Sequence, residues 1–140
     1  MTVRFLLDSN VLSEPSRPAP NEKVLSKLTQ HKAEVGVASL VVHEMLYGCL
    51  RLPSLKRRDY LWKYIQRSVL GLPIFNYDLS AARWHAEERA RLSAIGRTPA
   101  FVDGQIASIA ACNGLRLVTR NVSDFQHFEG LTVENWFKES

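Results

Sequence analysis

Four short apolar runs, VRFLL (3–7), EVGVAS (34–39), LPIFNY (72–77) and LRLVT (115–119), recur along the chain with helix-length stretches between them. Each run is short and rich in branched residues, which fits a buried strand better than a core helix. Strands separated by helices do not pair as hairpins. The alternation therefore predicts an α/β layer fold with a mainly parallel sheet, to which LTVENW (131–136) adds a last short strand.

The stretches between the runs read as helices with identifiable ends. PSRPAP (15–20) breaks the chain, and Asn21 then caps NEKVLSKLTQ. LVVHEMLYGCL (40–50) places Leu40, Val41, Glu44, Met45 and Gly48 at helical spacing. Pro53 and Ser54 start a basic amphipathic helix in RLPSLKRRDYLWKYIQRSVL (51–70). Asp78 caps LSAARWHAEERARLSAIG, which Gly96 stops, and FVDGQIASIAACNG (101–114) ends at Gly114, the usual C-terminal glycine position. With 140 residues and no repeat, low-complexity tract or linker, one domain over 1–140 is expected.

In open parallel sheets, ligands sit beyond the carboxyl ends of the strands. Asp8, the segment after Ser39, and Thr119 to Asp124 all fall at or just past such ends. Four acids stand there or nearby, namely Asp8, Glu44, Asp103 and Asp124, and each also has an ordinary reading. Asp8 suits the N-cap of a helix beginning near Ser9. Asp103 sits in a first helical turn, where the dipole favours it by ~0.3–1 kcal/mol. Asp124 is a natural turn former in NVSD. Glu44, flanked by LVVH and MLYG, is the least natural as a solvated residue. Carboxylates converging on one pocket repel one another unless a cation holds them. Hard oxygen ligands without a cysteine or histidine pattern favour Mg²⁺ or Mn²⁺ over zinc.

The order of motifs resembles the PIN-domain family, and within it the VapC/FitB-like toxins of toxin–antitoxin pairs. The matching stretches are FLLDSNVLSEPSRP, SLVVHEMLYG, PAFVDGQIASIAACNGLRLVTRNVSDF and a short apolar terminal segment, so the resemblance covers essentially the whole chain. It implies a three-layer α/β/α domain with a central parallel sheet of four to five strands, acting as a Mg²⁺- or Mn²⁺-dependent endoribonuclease. By position, Asp8, Glu44 and Asp103 match the family's three acids. Relatives place a fourth acid directly after a Thr-Arg pair or a few residues later. Asn121 fills the first place here and Asp124 the second, so Asp124 is expected to be the fourth acid, directly or through a water, with Asn121 lining the site. Thr119 and Asn10 match supporting polar positions. Val41 departs from the pattern, since many relatives carry Thr or Ser there. The resemblance further implies an RNA substrate such as tRNA or mRNA, a VapB-like antitoxin, a homodimer, and operator DNA contacted only through the antitoxin. The readings that compete with it are a PIN-fold nuclease acting on DNA or structured nucleic acid, and a catalytically silent binding module.

The formal net charge of +4 leans the same way, toward a polyanionic partner. Six Lys/Arg residues in 51–67 are interleaved with Tyr60, Trp62 and Tyr64. They read as a backbone-tracking surface, as a solvated amphipathic helix with Leu61, Tyr64, Ile65 and Val69 inward, or as part of an antitoxin groove. Arg97 and Arg120 are candidate phosphate contacts. His43 and His85 read as structural or surface residues, and His31 and His127 lie in turns without a signal. Cys49 and Cys112 are expected to be buried free thiols. No apolar run approaches the ~18 residues of a membrane span, and MTVRFLLDSN lacks a signal-peptide layout, so a cytoplasmic protein is expected.

Overall fold

Strand β1 (Phe5–Leu7) has all three side chains buried. In the computed structural model, which describes residues 2–138, it forms the middle of a five-stranded sheet of order β3-β2-β1-β4-β5. The other strands are β2 (Val35–Ala38), β3 (Ile74–Phe75), β4 (Arg116–Val118) and β5 (Val133–Glu134). Every pairing is parallel, with Phe5 opposite Val35 on one side and Arg116 on the other. Of the single domain expected over 1–140, Met1, Glu139 and Ser140 lie outside the described residues.

Six helices make the crossovers: α1 (Ser9–Leu12), α2 (Glu22–Gln30), α3 (Ser39–Leu50), α4 (Leu55–Ser68), α5 (Leu79–Ala94) and α6 (Phe101–Cys112). The chain steps outward from β1 to β2 and β3, then returns through α5 and α6 to β4 on the far side of β1. Right-handed crossovers in opposite directions put α2 to α4 on one face and α5 and α6 on the other, giving three layers. The strand order therefore reverses between β1 and β4, and the carboxyl ends of these two strands flank the natural crevice.

The expected punctuation is present. Asn21 accepts from the backbone of Lys23 and Val24, Ser54 from Arg57, and Asp78 from Ala81. Gly96 (φ 71°) and Gly114 (φ 65°) sit in the left-handed region that ends α5 and α6. The two edge strands are shorter than LPIFNY and LTVENW, because each edge has only one neighbour to extend it. A 3₁₀ turn over Glu14–Ser16 enters PSRPAP, and its buried Glu14 accepts the Asn21 amide at 2.8 Å.

One expectation needs correction here. Cys49 is buried but Cys112 is exposed, because it lies at the last turn of α6 after the core-facing Ile106, Ile109 and Ala110. On α4, Ile65 and the following Val69 are buried, with Leu61 and Tyr64 packed against the core. Tyr60 and Trp62 project outward from the same helix.

Helices α5 and α6 approach each other closely at Gly104 and His85. His85, 2 % exposed, has Nδ1 2.9 Å from the Tyr77 hydroxyl, while Nε2 has no hydrogen-bond partner. A Cβ on Gly104 would lie 2.3 Å from that Nε2, so only glycine admits the imidazole at this point of α6. Burial, with the nearby Arg89 charge, holds the His85 pKa below its ordinary value.

Gly104→Ala is expected to lower the denaturation midpoint. Overpacking against a pinned ring costs ~1–3 kcal/mol, against a gain of ~1 kcal/mol from replacing a helical glycine. A His85 pKa lowered in the folded state means that the unfolded chain binds the proton more readily. Stability from this residue is therefore present above its unfolded pKa of about 6.5 and lost as pH falls below it. His85→Gln is expected to flatten the dependence of Tm on pH in that window, and equal slopes for wild type and variant would contradict it.

Candidate active site

Asp8 follows β1 directly and keeps an extended backbone while capping α1. Its amide donates to Val118 O at 2.9 Å, continuing the β1–β4 ladder past the end of β1. One carboxylate oxygen accepts the Ser9 amide at 2.9 Å. The other accepts the Thr119 hydroxyl at 2.7 Å and the Asn10 side-chain amide at 3.5 Å. Thr119 Oγ1 in turn accepts from Asn10 Nδ2 at 3.3 Å and from the Asn121 amide at 3.1 Å. Asn10 Oδ1 closes the network by accepting the Arg120 amide at 3.0 Å. Asn10 and Thr119 thus support Asp8, and Asn121 meets the network through its backbone.

At 7 % exposure, Asp8 has its pKa raised chiefly by burial. The Thr119 and Ser9 hydrogen bonds pull it back, and the charges of Glu44 and Asp124 push it up again. Glu44 differs from its expectation, since it is exposed despite apolar flanks. Val41, Met45 and Cys49 occupy the buried stripe of α3, and Glu44 rides beside it, where its carboxylate accepts the Ser9 hydroxyl. Ser9, not singled out in the sequence, therefore joins two of the acids. Val41 is fully buried, so its departure from the usual hydroxyl residue falls in the core.

Asp103 lies in the first turn of α6, half-buried, and its pKa is pushed up to about 6. Burial is the largest cause, followed by the charges of Asp124, Asp8 and Glu44. Desolvation and repulsion together outweigh the helix dipole that would lower it. Asp124, exposed on the 3₁₀ turn Val122–Phe125, is the strongest of the neighbouring charges acting on Asp103. The fold thus brings all four acids into one electrostatic field. Asn121 takes the place just before that turn.

The basic candidates part ways. The Arg120 guanidinium lies 4.7 Å from the centre of the Phe137 ring. Arg97 lines the same cavity as Asp103 and Asp124 and donates to His127 Nε2 at 3.0 Å. His127 is thereby placed at the site, which a lone histidine in a turn gave no reason to expect.

The donor set fits a hard divalent cation: four carboxylates, with no thiolate among them and no Lys or Arg ion-paired to any of them among the described residues. No three acids among the described residues converge into a ready-made ligand cage. They share a field, and their mutual repulsion is what a cation would offset. Among the described residues no helix is long and apolar enough to cross a membrane.

A family model described as "PIN domain" matches residues 5–131. The chain is 34 % identical to toxin FitB of Neisseria gonorrhoeae over 125 residues, covering 86 % of this chain and 90 % of that protein. It is 27 % identical to the tRNA(fMet)-specific endonuclease VapC of Shigella flexneri, covering 96 % and 98 %. Among solved structures, FitAcB from N. gonorrhoeae superposes with a TM-score of 0.87 at 30 % identity, covering 96 % of this chain and 99 % of that one.

The hydrogen bond from Thr119 is open to direct test. Thr119→Val keeps the shape but removes the donor, leaving a buried carboxylate oxygen short of a partner at a cost of ~1–3 kcal/mol. The Asp8 pKa, read from side-chain carboxyl NMR shifts, is expected to rise further, because the bond that lowers it is gone. An unchanged Asp8 titration would contradict this geometry.

Proposed function

The chain belongs to the PIN-domain family, and from that premise we propose that it is a divalent-cation-dependent endoribonuclease, the toxin of a toxin–antitoxin pair. The observation that carries the reading is the placement of Asp8, Glu44 and Asp124, from three separate elements, around the half-buried Asp103, which with burial pushes its pKa up to about 6. An acid cluster of this kind destabilises the chain unless it serves a cation.

In this reading Asp8, Glu44 and Asp103 would hold Mg²⁺ or Mn²⁺, with Asp124 contributing directly or through a water. The cation supplies charge neutralisation at the phosphate and a lowered pKa for the attacking water. The protein's own residues do the rest. Thr119, Asn10 and Ser9 fix the Asp8 carboxylate in one orientation, and Ser9 ties Glu44 beside it. Asp124, or Asp103 where it is not itself a ligand, would position the water. Asn121 lines the site, and Arg97 and Arg120 are candidate contacts for the RNA phosphates.

The substrate is RNA, such as tRNA or mRNA, with accessible single-stranded or looped bases. The relative from S. flexneri, a tRNA(fMet)-specific endonuclease by name, supports that class. Tyr47, Leu50, Leu55, Tyr60 and Trp62 form exposed apolar surface along α3 and α4, which supports a partner-binding role for that region, with an antitoxin segment or a second subunit as occupant. Operator DNA is reached through the antitoxin, and residues 1–140 act as one domain in the cytoplasm.

Purified protein is expected to cleave RNA with Mg²⁺ or Mn²⁺ and to stop with excess chelator. Asp8→Ala and Asp103→Ala remove ligands, and each is expected to cost more than the ~10–100-fold typical of outer-shell changes. Because the Asp103 pKa is raised, protons compete with the cation at an unusually high pH. The half-saturating Mg²⁺ concentration is therefore expected to climb as pH falls through about 6. Cleavage that survives chelator or both substitutions would overturn the proposal, and preference for single-stranded DNA in parallel assays would redirect it.

A further inference from the structure

A cavity of about 390 Å³ opens beside Asp103 and Asp124, between the turn after α5 and the segment following the 3₁₀ turn. Leu92 and Phe128 form its apolar floor, and Arg97 is the one Lys or Arg among its lining residues. An arginine sharing a cavity with two carboxylates ordinarily pairs with them. This one does not. Among the described residues neither acid has an ion-pair partner.

His127 accounts for the difference. Arg97 Nη1 donates to His127 Nε2 at 3.0 Å. Arginine has only donors, so Nε2 is the acceptor in this bond. The ring nitrogen anchors the guanidinium away from the two carboxylates. Both sides of the pair are braced. Arg97 N donates to Leu92 O at 2.8 Å, beside the left-handed Gly96. Across the cavity, Arg91 donates to the His127 carbonyl at 2.8 Å while gripping Glu88 through two bonds of 2.8 and 2.9 Å. Glu88 also accepts the Glu129 amide at 2.8 Å. A solvated arginine with no role would not require a fixed histidine acceptor on a braced segment.

We infer that Arg97 and His127 form a subsite for the nucleotide adjacent to the scissile phosphate, with the RNA backbone phosphate on the Arg97 guanidinium and His127 as its positioning residue. The cavity volume suits one nucleotide unit. A fixed positive charge beside an acidic cluster also gives a polyanion a register, since its phosphate is drawn to the one place where attraction is not cancelled. This subsite rests on the nuclease reading for its substrate, but the two can fail separately.

The test compares wild type with Arg97→Ala, Arg97→Lys, His127→Ala and His127→Gln, each checked for an unchanged thermal melt. The first readout is kcat and KM on a short RNA with Mg²⁺. The second is the affinity for adenosine 5′-monophosphate and for inorganic phosphate by calorimetry. Arg97→Ala is expected to raise KM and weaken mononucleotide binding at least about tenfold, as the loss of a charge-assisted bond implies, with kcat little changed. Arg97→Lys recovers part of the loss. His127→Ala shows a smaller loss, which His127→Gln restores, because the glutamine oxygen can accept from Arg97 where Nε2 did. KM and mononucleotide affinity equal to wild type in both alanine variants would overturn the subsite while leaving the nuclease reading intact. Absence of RNA cleavage by wild type, with mononucleotide binding still dependent on Arg97, would sink the nuclease reading and keep the subsite.

Discussion

Thr119 donates to the Asp8 carboxylate at 2.7 Å across 111 positions of sequence, a bond possible only because β1 and β4 lie parallel and in register, with Leu7 opposite Val118. A shift of one residue would turn Thr119 to the opposite face and leave a buried carboxylate without its main donor. The rest of the site inherits this register. Around this bond Asn10 accepts from the Arg120 amide, the Asn121 amide donates to Thr119 Oγ1, and Ser9 donates to Glu44 on α3. The reversal of strand order between β1 and β4 is where an open parallel sheet leaves a crevice.

What the register assembles is electrostatically costly. Burial and like charge act together on Asp103 and lift it to about 6. Hydrogen bonds that would lower a carboxyl pKa go to Asp8, the most buried of the four. Asp8 is therefore the anchored acid, and Asp103 the one poised between protonation states. Behind Asp103, the Gly104–His85 contact sets how closely α6 approaches α5. In front of it, Arg97 is turned to His127 and leaves the negative field intact. Both arrangements preserve the field, and the fold tolerates the repulsion through packing and hydrogen bonding elsewhere.

Much of the fold was legible because strand runs and helix ends are local signals. Asn21, Ser54 and Asp78 are caps in the structure, and Gly96 and Gly114 end their helices. Asp8 combines both roles that its sequence position allows, a cap of α1 and a member of the acid cluster. Glu44 was misjudged as to burial, because apolar neighbours in sequence do not decide which side of a helix faces the core. Cys112 failed for the same reason. Ser9 and His127 were illegible as site residues, since their partners Glu44 and Arg97 lie 35 and 30 positions away. Arg120 looked equivalent to Arg97 by position, and only the fold separates them, sending one onto Phe137 and the other to the cavity.

The central claim is that the four acids act as one unit whose repulsion a divalent cation relieves. Calorimetric titration of Mn²⁺ into the protein at pH near 6, in two buffers of different ionisation enthalpy, tests it most directly. Because the Asp103 pKa is pushed up to about 6, cation binding there is expected to release protons, and the measured heat will differ between the buffers accordingly. Binding heats identical in the two buffers, or no binding at all, would contradict it.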